Sequence, residues 1–265
     1  MRTTSRPRGT AASAGRADGI AALRARAAKA RARNAGRVAD DRAHRLLDAY
    51  LAAAERHGRP AREVIADLAR GEAAWQIGMA LHDQTMAAPP DILRNAACGE
   101  GCAFCCILSG GDGGTTTEAE ATRLHAALAG RAGEPDGRNW HPEACPALDP
   151  DTRACRAYDA RPIICRSFLS TDASACEANA QGGTEPGSGL LGSHLDYLAV
   201  LALIRETLKG MTRVPTYSLA QIAASAVGGA DLATSLDTAR HPSRVLDAAC
   251  RDMARAGAAG RGRRL

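Results

Sequence analysis

The stretch CGEGCAFCC, residues 98–106, constrains this chain more than any other feature: it places four thiols, Cys98, Cys102, Cys105 and Cys106, within nine positions. Four more, Cys145, Cys155, Cys165 and Cys176, follow at separations of nine, nine and ten intervening residues, so eight of the nine cysteines lie in the middle of the 265-residue chain. Cys102 and Cys105 have the CxxC spacing, in which two thiolates converge on one ion while turn amides donate to the sulfurs. Adjacent residues project their side chains in different directions, so the Cys105–Cys106 doublet favours two metal sites or one cluster with several corners. Eight thiols are enough for two four-sulfur sites of zinc or iron–sulfur type, and also for one cluster with spare thiols.

The opening sequence MRTTSRPRGTAASAGRADGI has no apolar run of the roughly 7–15 residues that a signal peptide needs. The longest apolar stretch, YLAVLALI at 197–204, is far short of the ~20 residues that span a bilayer. A cytoplasmic protein without a membrane segment is therefore expected. In a reducing compartment, clustered thiols point to metal rather than to disulfides.

The net charge of +5 is uneven. Residues 1–37 hold ten Lys and Arg against the single acid Asp18, and the remainder holds 24 bases and 28 acids. This arm has almost no large apolar residue and is expected to be disordered, because burial cannot offset the entropy of ordering it. Its charge would suit phosphates, but no aromatic residue interleaves the bases to stack on nucleotides, so nucleic acid is the less favoured reading.

The expected fold is mainly α, with helical N- and C-terminal segments flanking an irregular, cysteine-rich metal-binding centre. Its expected units are the arm (1–37), a helical segment (38–97), the cysteine-cluster domain (98–180) and a C-terminal helical segment (181–265). Leu46, Leu47, Tyr50 and Leu51 form an apolar stripe closed by HGRP at 57–60, and further helices are expected near 61–70 and 72–86. GGDGG at 110–114 lacks the Lys-Ser/Thr ending of a phosphate-binding loop and reads as a flexible turn. Thr117 with Glu120 reads as a capping box opening a helix to about Leu128. Ser193 with Asp196, and Ser218 with Gln221, read as caps of two later helices, and 242–256 as a last one.

An all-cysteine site carries net negative charge, which nearby cations would balance. Arg153, Arg156, Arg161 and Arg166 face only Asp159 in the stretch 153–166. Arg161 and Arg166 are the candidate cations around the sulfurs, and Phe104 and Phe168, the only two phenylalanines, are candidates to shield a metal from water. Arg161–Pro162 fixes the backbone ahead of Cys165. His141 and His194 could replace a sulfur ligand but read more naturally as surface or structural residues, and Cys250 reads as a small buried hydrophobe. Between Gly130 and Gly189 the main apolar bulk is Trp140, Leu148, Tyr158, Ile163, Ile164, Phe168 and Leu169. That is too little to order about sixty residues at ~1–2 kcal/mol each, so metal coordination is expected to supply the difference.

The eight cysteines, with Pro146, Leu148, Tyr158, Arg161–Pro162, Arg166 and Phe168 around them, resemble the CxxCxxCC cysteine-cluster family (YkgJ type), a proposed zinc- or iron-chelating domain. The resemblance covers about residues 98–180 and implies chelation by these cysteines; it supplies no reaction. Three functions follow as expectations. The first is a metal-binding protein holding zinc or an iron–sulfur cluster. The second is an iron–sulfur enzyme, either an oxidoreductase or a relative of protein lysine methyltransferases, which carry a similar cluster. The third is a metal- or redox-sensing adaptor that touches nucleic acid through its arm. No Ser/His/Asp or paired-carboxylate constellation is readable from the sequence, and no protein partner is indicated.

Overall fold

The structure, a computed structural model, describes residues 11–186 and 188–262. The first four helices are α1 (Ala11–Lys29), α2 (Arg37–Arg56), α3 (Ala61–Arg70) and α4 (Glu72–Ala87), followed by the single turn α5 (Asp91–Arg94). After the first cysteine group come β1 (Thr115–Thr116) and α6 (Glu118–Leu128). The second cysteine group carries α7 (Ile163–Ser167), β2 (Phe168–Ser170) and α8 (Ala173–Ala180). The chain ends with β3 (Ser188–Leu190), α9 (Gly192–Thr207), β4 (Tyr217–Ser218), α10 (Leu219–Val227), α11 (Leu232–Thr238) and α12 (Arg244–Gly262). Strands β1 and β4 pair antiparallel, as do β2 and β3. The protein is mainly helical, with the cysteine-rich segment in its middle.

The stretch YLAVLALI decides the arrangement. Every residue from Tyr197 to Ile204 is buried, so α9 is apolar on all sides and has to be surrounded. Helices α1, α2, α4 and α12 pack around it, with Leu47 and Leu51 of α2, Leu68 of α3 and Leu246 of α12 in the same cluster. A second, smaller core forms where α6 and α10 meet the cysteine-bearing loops. It joins Leu124 and Leu128 to Ile222, Ala226 and Tyr217, and both groups to Ala103, Ala144, Cys145, Leu148 and Ala157. The two cores cut across the order of the sequence: the N-terminal helices close on α9, and α10 closes on the segment around the cysteines.

The expected disorder of the basic arm is corrected from residue 19 onward; residues 1–10 lie outside the described residues. Ile20, Leu23 and Ala27 recur at helical spacing and are buried against α2, α3 and α9. The arginines between them are answered from elsewhere in the chain. Arg24 donates to Asp48 at 2.8 Å and to Glu55 at 3.0 Å. Arg26 donates to the carbonyls of Thr207, the last residue of α9, and of Lys209 just past it, at 2.9 and 2.7 Å, and Arg33 pairs with Glu206 at 3.2 Å. Small alanines let the backbones approach, and acids distant in sequence neutralise the charge, so composition within the arm could not show that it folds.

Local signals place the remaining helices well. Thr117 caps α6 in a reciprocal box with Glu120, and Ser218 accepts from the Gln221 amide at 3.3 Å to cap α10. The expected Ser193 cap is not formed: the cap position is Leu191, two residues earlier, and Asp196 instead pairs with Arg42 at 3.1 Å. GGDGG is not a loose turn either. The Asp112 carbonyl accepts from Ser218 Oγ at 2.9 Å and from the Ala220 amide at 3.1 Å, and the Asp112 carboxylate meets His241 Nε2 at 2.8 Å. Its glycines supply the left-handed backbone this docking requires, and at Gly114 (φ 96°) a Cβ would strike Ile164 Cδ1 at 2.2 Å.

Candidate metal centre

Two pairs of backbone stretches bring the thiol-bearing loops together. Residues 106–108 run against 143–145, with the Cys145 amide donating to the Cys106 carbonyl at 2.7 Å and the Leu108 amide to the Glu143 carbonyl at 2.7 Å. Residues 147–149 run against 154–156 through Asp149 N to Ala154 O at 2.9 Å and Arg156 N to Ala147 O at 2.8 Å. The Asp149 carboxylate shapes the tight turn between them by accepting from the Asp151 and Thr152 amides. Gly137 is needed beneath this arrangement, since a Cβ there would sit 2.3 Å from the Cys145 carbonyl oxygen. Cys106, Cys145 and Cys155 are thereby placed side by side, and α7 adds Cys165.

The sulfurs fall into two adjoining sets. Cys106 feels the charges of Cys105, Cys145 and Cys165, and Cys165 those of Cys145, Cys155 and Cys105. Cys102 feels Cys105, Cys98 and Cys176. Cys105 is common to both sets. Cys98 is held against β2, its sulfur accepting from the Ser170 amide at 3.3 Å, and the 3-10 turn Phe104–Cys106 packs on α8, which carries Cys176.

At three positions the amide two residues further on donates to the sulfur: Phe104 to Cys102, Ala147 to Cys145 and Ala157 to Cys155. Such bonds favour the thiolate. Burial opposes them, raising Cys102 and Cys155 and pushing the Cys145 thiol up to about 12 and Cys165 well above its ordinary value. Cys105 goes the other way: the Cys106 thiol donates to its sulfur and holds it down to about 7, while Cys106 keeps its proton. Within this set Cys105 is therefore the thiol that ionises most readily, and its buried neighbours are held toward the neutral form. Among the described residues, no three His, Cys, Asp or Glu side chains are placed to hold one metal ion. Neutral thiols have no attraction for one another, so convergence on a shared point requires both an ion and the loss of protons.

Residues 97–182 match the CxxCxxCC family. Its description is "Putative zinc- or iron-chelating domain", and the matched residues include all eight clustered cysteines. Comparison with curated proteins and with solved structures finds no match. The CxxCxxCC segment leaves α1–α5 and α9–α12 outside it. No described helix is long and apolar enough to cross a membrane.

Around the CxxCxxCC thiols the candidate residues take distinct places. Arg161 lies within electrostatic reach of Cys105, Cys155 and Cys165, with its guanidinium 3.6 Å over the Tyr158 ring. Arg166 reaches Cys165 and also donates to the Arg161 and Asp159 carbonyls at 2.9 and 2.6 Å, bracing the chain ahead of α7. Phe104, 6.3 Å from Trp140, lines a groove of about 200 Å³ with Ile107, His141 and Glu177. Phe168 is half-buried and pairs in register with Leu190. His194 is buried in the helical core, where burial lowers it to about 4, and stacks on Tyr197. Cys250 is buried in the same core, 3.7 Å from the Leu198 carbonyl and outside both thiol sets.

Proposed function

We propose that the CxxCxxCC segment chelates two metal ions, zinc or iron, through its eight cysteines. The CxxC pair Cys102 and Cys105 acts with Cys98 and Cys176 in one four-sulfur site, and Cys106 acts with Cys145, Cys155 and Cys165 in the other. The observation that carries this reading is the position of Cys105 and Cys106. Cys105 takes part in both sets and Cys106 in the second, and assigning Cys105 to the first leaves four sulfurs on either side. Amide donation to Cys102, Cys145 and Cys155 supports it as well, because it favours the ligating form of the sulfur before any ion arrives. Arg161 and Arg166 then offset part of the negative charge of the filled sites, and Phe104 and Phe168 limit water on two sides.

Each ion displaces protons from its thiols, so chelation strengthens as pH rises through the neutral range. Anaerobically purified protein is expected to hold two metal equivalents by elemental analysis, and its absorption spectrum separates coloured iron–thiolate from colourless zinc. Cys176→Ser and Cys155→Ser should each remove one equivalent and the double variant both. Wild-type protein without metal would end the proposal. Loss of both equivalents from either single variant would replace two sites with one shared cluster.

A further inference from the structure

One buried carboxylate joins the helical core to the second cysteine group. Glu120, in the first turn of α6, is 1% exposed. Its Oε2 accepts from the Thr117 amide at 2.8 Å, Thr117 Oγ1 at 3.0 Å and the Tyr197 hydroxyl of α9 at 2.6 Å. Its Oε1 accepts from the Ile163 amide at 2.8 Å, the first amide of α7. A capping box needs only the bonds to Thr117. Oε1 instead reaches a residue 43 positions away, two before Cys165. At the other end of α7 the Ser167 carbonyl accepts from the Leu191 amide at 2.8 Å, and the contacts between are apolar or local: a Cβ on Gly78 would lie 2.9 Å from Ile163 Cγ1, Gly114 backs Ile164, and Arg166 bonds the chain just upstream. Apolar packing limits how far α7 can move and the Leu191 bond holds its last residue, while the Glu120 bond at its first amide fixes the rotation of the turn that aims the Cys165 sulfur.

We propose that Glu120 is the positioning residue for Cys165: its carboxylate, anchored by Tyr197, fixes the first turn of α7 and with it the direction of the Cys165 sulfur toward Cys106, Cys145 and Cys155. This rests on the reading of Cys165 as a ligand. The two oxygens have separate duties, three donors on Oε2 and one on Oε1. A glutamine keeps one acceptor. With that oxygen on the three-donor side, its NH2 group faces the Ile163 amide, donor against donor, and α7 is released while the capping box survives. Removing the Tyr197 hydroxyl takes one donor from Oε2 and leaves the Ile163 bond in place.

The experiment uses full-length protein treated with chelator, so its readout does not depend on metal. Alkylation of each cysteine by iodoacetamide is followed by peptide mass spectrometry in wild type, Glu120→Gln and Tyr197→Phe. Glu120→Gln is expected to speed alkylation of Cys165 by about tenfold or more, the scale on which loss of a buried hydrogen bond shifts a local opening equilibrium, with Cys98 unchanged. Tyr197→Phe should lower the melting temperature and change Cys165 by less than about threefold. In wild type, the Ile163 amide should be among the slowest to exchange within residues 97–182. An unchanged Cys165 rate in Glu120→Gln overturns the assignment, as does an equal increase in Tyr197→Phe. Should Glu120→Gln not fold, wild-type exchange decides alone: an Ile163 amide as fast as that of exposed Gly99 overturns it. Metal content measured in parallel separates this outcome from that of the proposed function, since wild type without metal removes the ligand role while the Glu120–Cys165 coupling stands or falls on alkylation.

Discussion

The core around α9 and the core around the cysteines are built from different materials. The first has leucine and isoleucine side chains on seven of the described helices, and α9 is buried on every side of its central stretch. The second sets α6 and α10 against loops whose inward residues are mostly alanine and cysteine, ordered by turn hydrogen bonds and single bridges such as Ile107 with Ala144 and Leu148 with Cys155. Alanine and cysteine bury little apolar area, and at about 25 cal/mol per Å² they offset little of the chain entropy they fix. The difference teaches where an ion would matter: the first core has the apolar bulk to close by itself, and under the proposed function the second would gain most from whatever binds its thiols.

Metal removal tests that contrast with the largest expected effect, since structural metal contributes on the order of 10 kcal/mol to a domain that it orders. Chelated protein should be cleaved faster and should exchange amides faster than metal-loaded protein over residues 98–176, least so at the first turn of α7 where Glu120 holds it, α10 should lose part of its protection, and α9 and α2 should keep theirs. Identical cleavage and exchange patterns with and without metal would show that both cores stand alone.

A cavity in the first core should act in the opposite sense. Leu201→Ala, at a fully buried position of α9, is expected to cost about 2–5 kcal/mol in denaturant unfolding while leaving metal stoichiometry unchanged. Loss of metal in the folded variant would mean that the two cores are one cooperative unit.

Alkaline pH reaches the thiols directly. Burial raises Cys145 in the second core and Cys250 in the first to about 12 from an ordinary 9.0. Between these values the unfolded chain gives up protons that the folded chain keeps, so the folded state binds more protons and stability falls as pH rises. The expected loss in metal-free protein is about 1.4 kcal/mol per pH unit for each such thiol. Cys250→Ala should remove its share of that slope, and metal-loaded protein should lack the Cys145 share because a ligating sulfur has already lost its proton. Chemical denaturation from pH 8 to 11 in the four combinations measures both contributions.

The smallest effect concerns the seam. Ser218→Ala deletes the cap of α10 and the hydroxyl that holds the Asp112 carbonyl. About 1 kcal/mol should be lost, with α9 exchange unaltered. A loss spread evenly over α9 and α10 would contradict separate cores.

Much of this was legible in the chain itself. Spacing alone marked off the segment whose residues 97–182 match the CxxCxxCC family, and it set Cys250 apart, because a cysteine spacing pattern is local and the ninth cysteine sits in a helical period. Caps named the starts of α6 and α10, since Thr117 with Glu120 and Ser218 with Gln221 act within one turn. What the tertiary structure decided is long-range. Ile20 and Leu23 fold the basic arm only because α2, α3 and α9 offer apolar faces and Asp48, Glu55 and Glu206 offer charge. The apparent poverty of apolar bulk between residues 130 and 189 was real, but Leu148 is covered by the α6–α10 core and Ile163 by α4 and α9, and neither partner is visible from within the segment. Glu120 reads in sequence as a cap and nothing more. Its second oxygen meets Ile163 only after α6, α7 and α9 have come together, because a hydrogen bond depends on position in space and the sequence records only order along the chain.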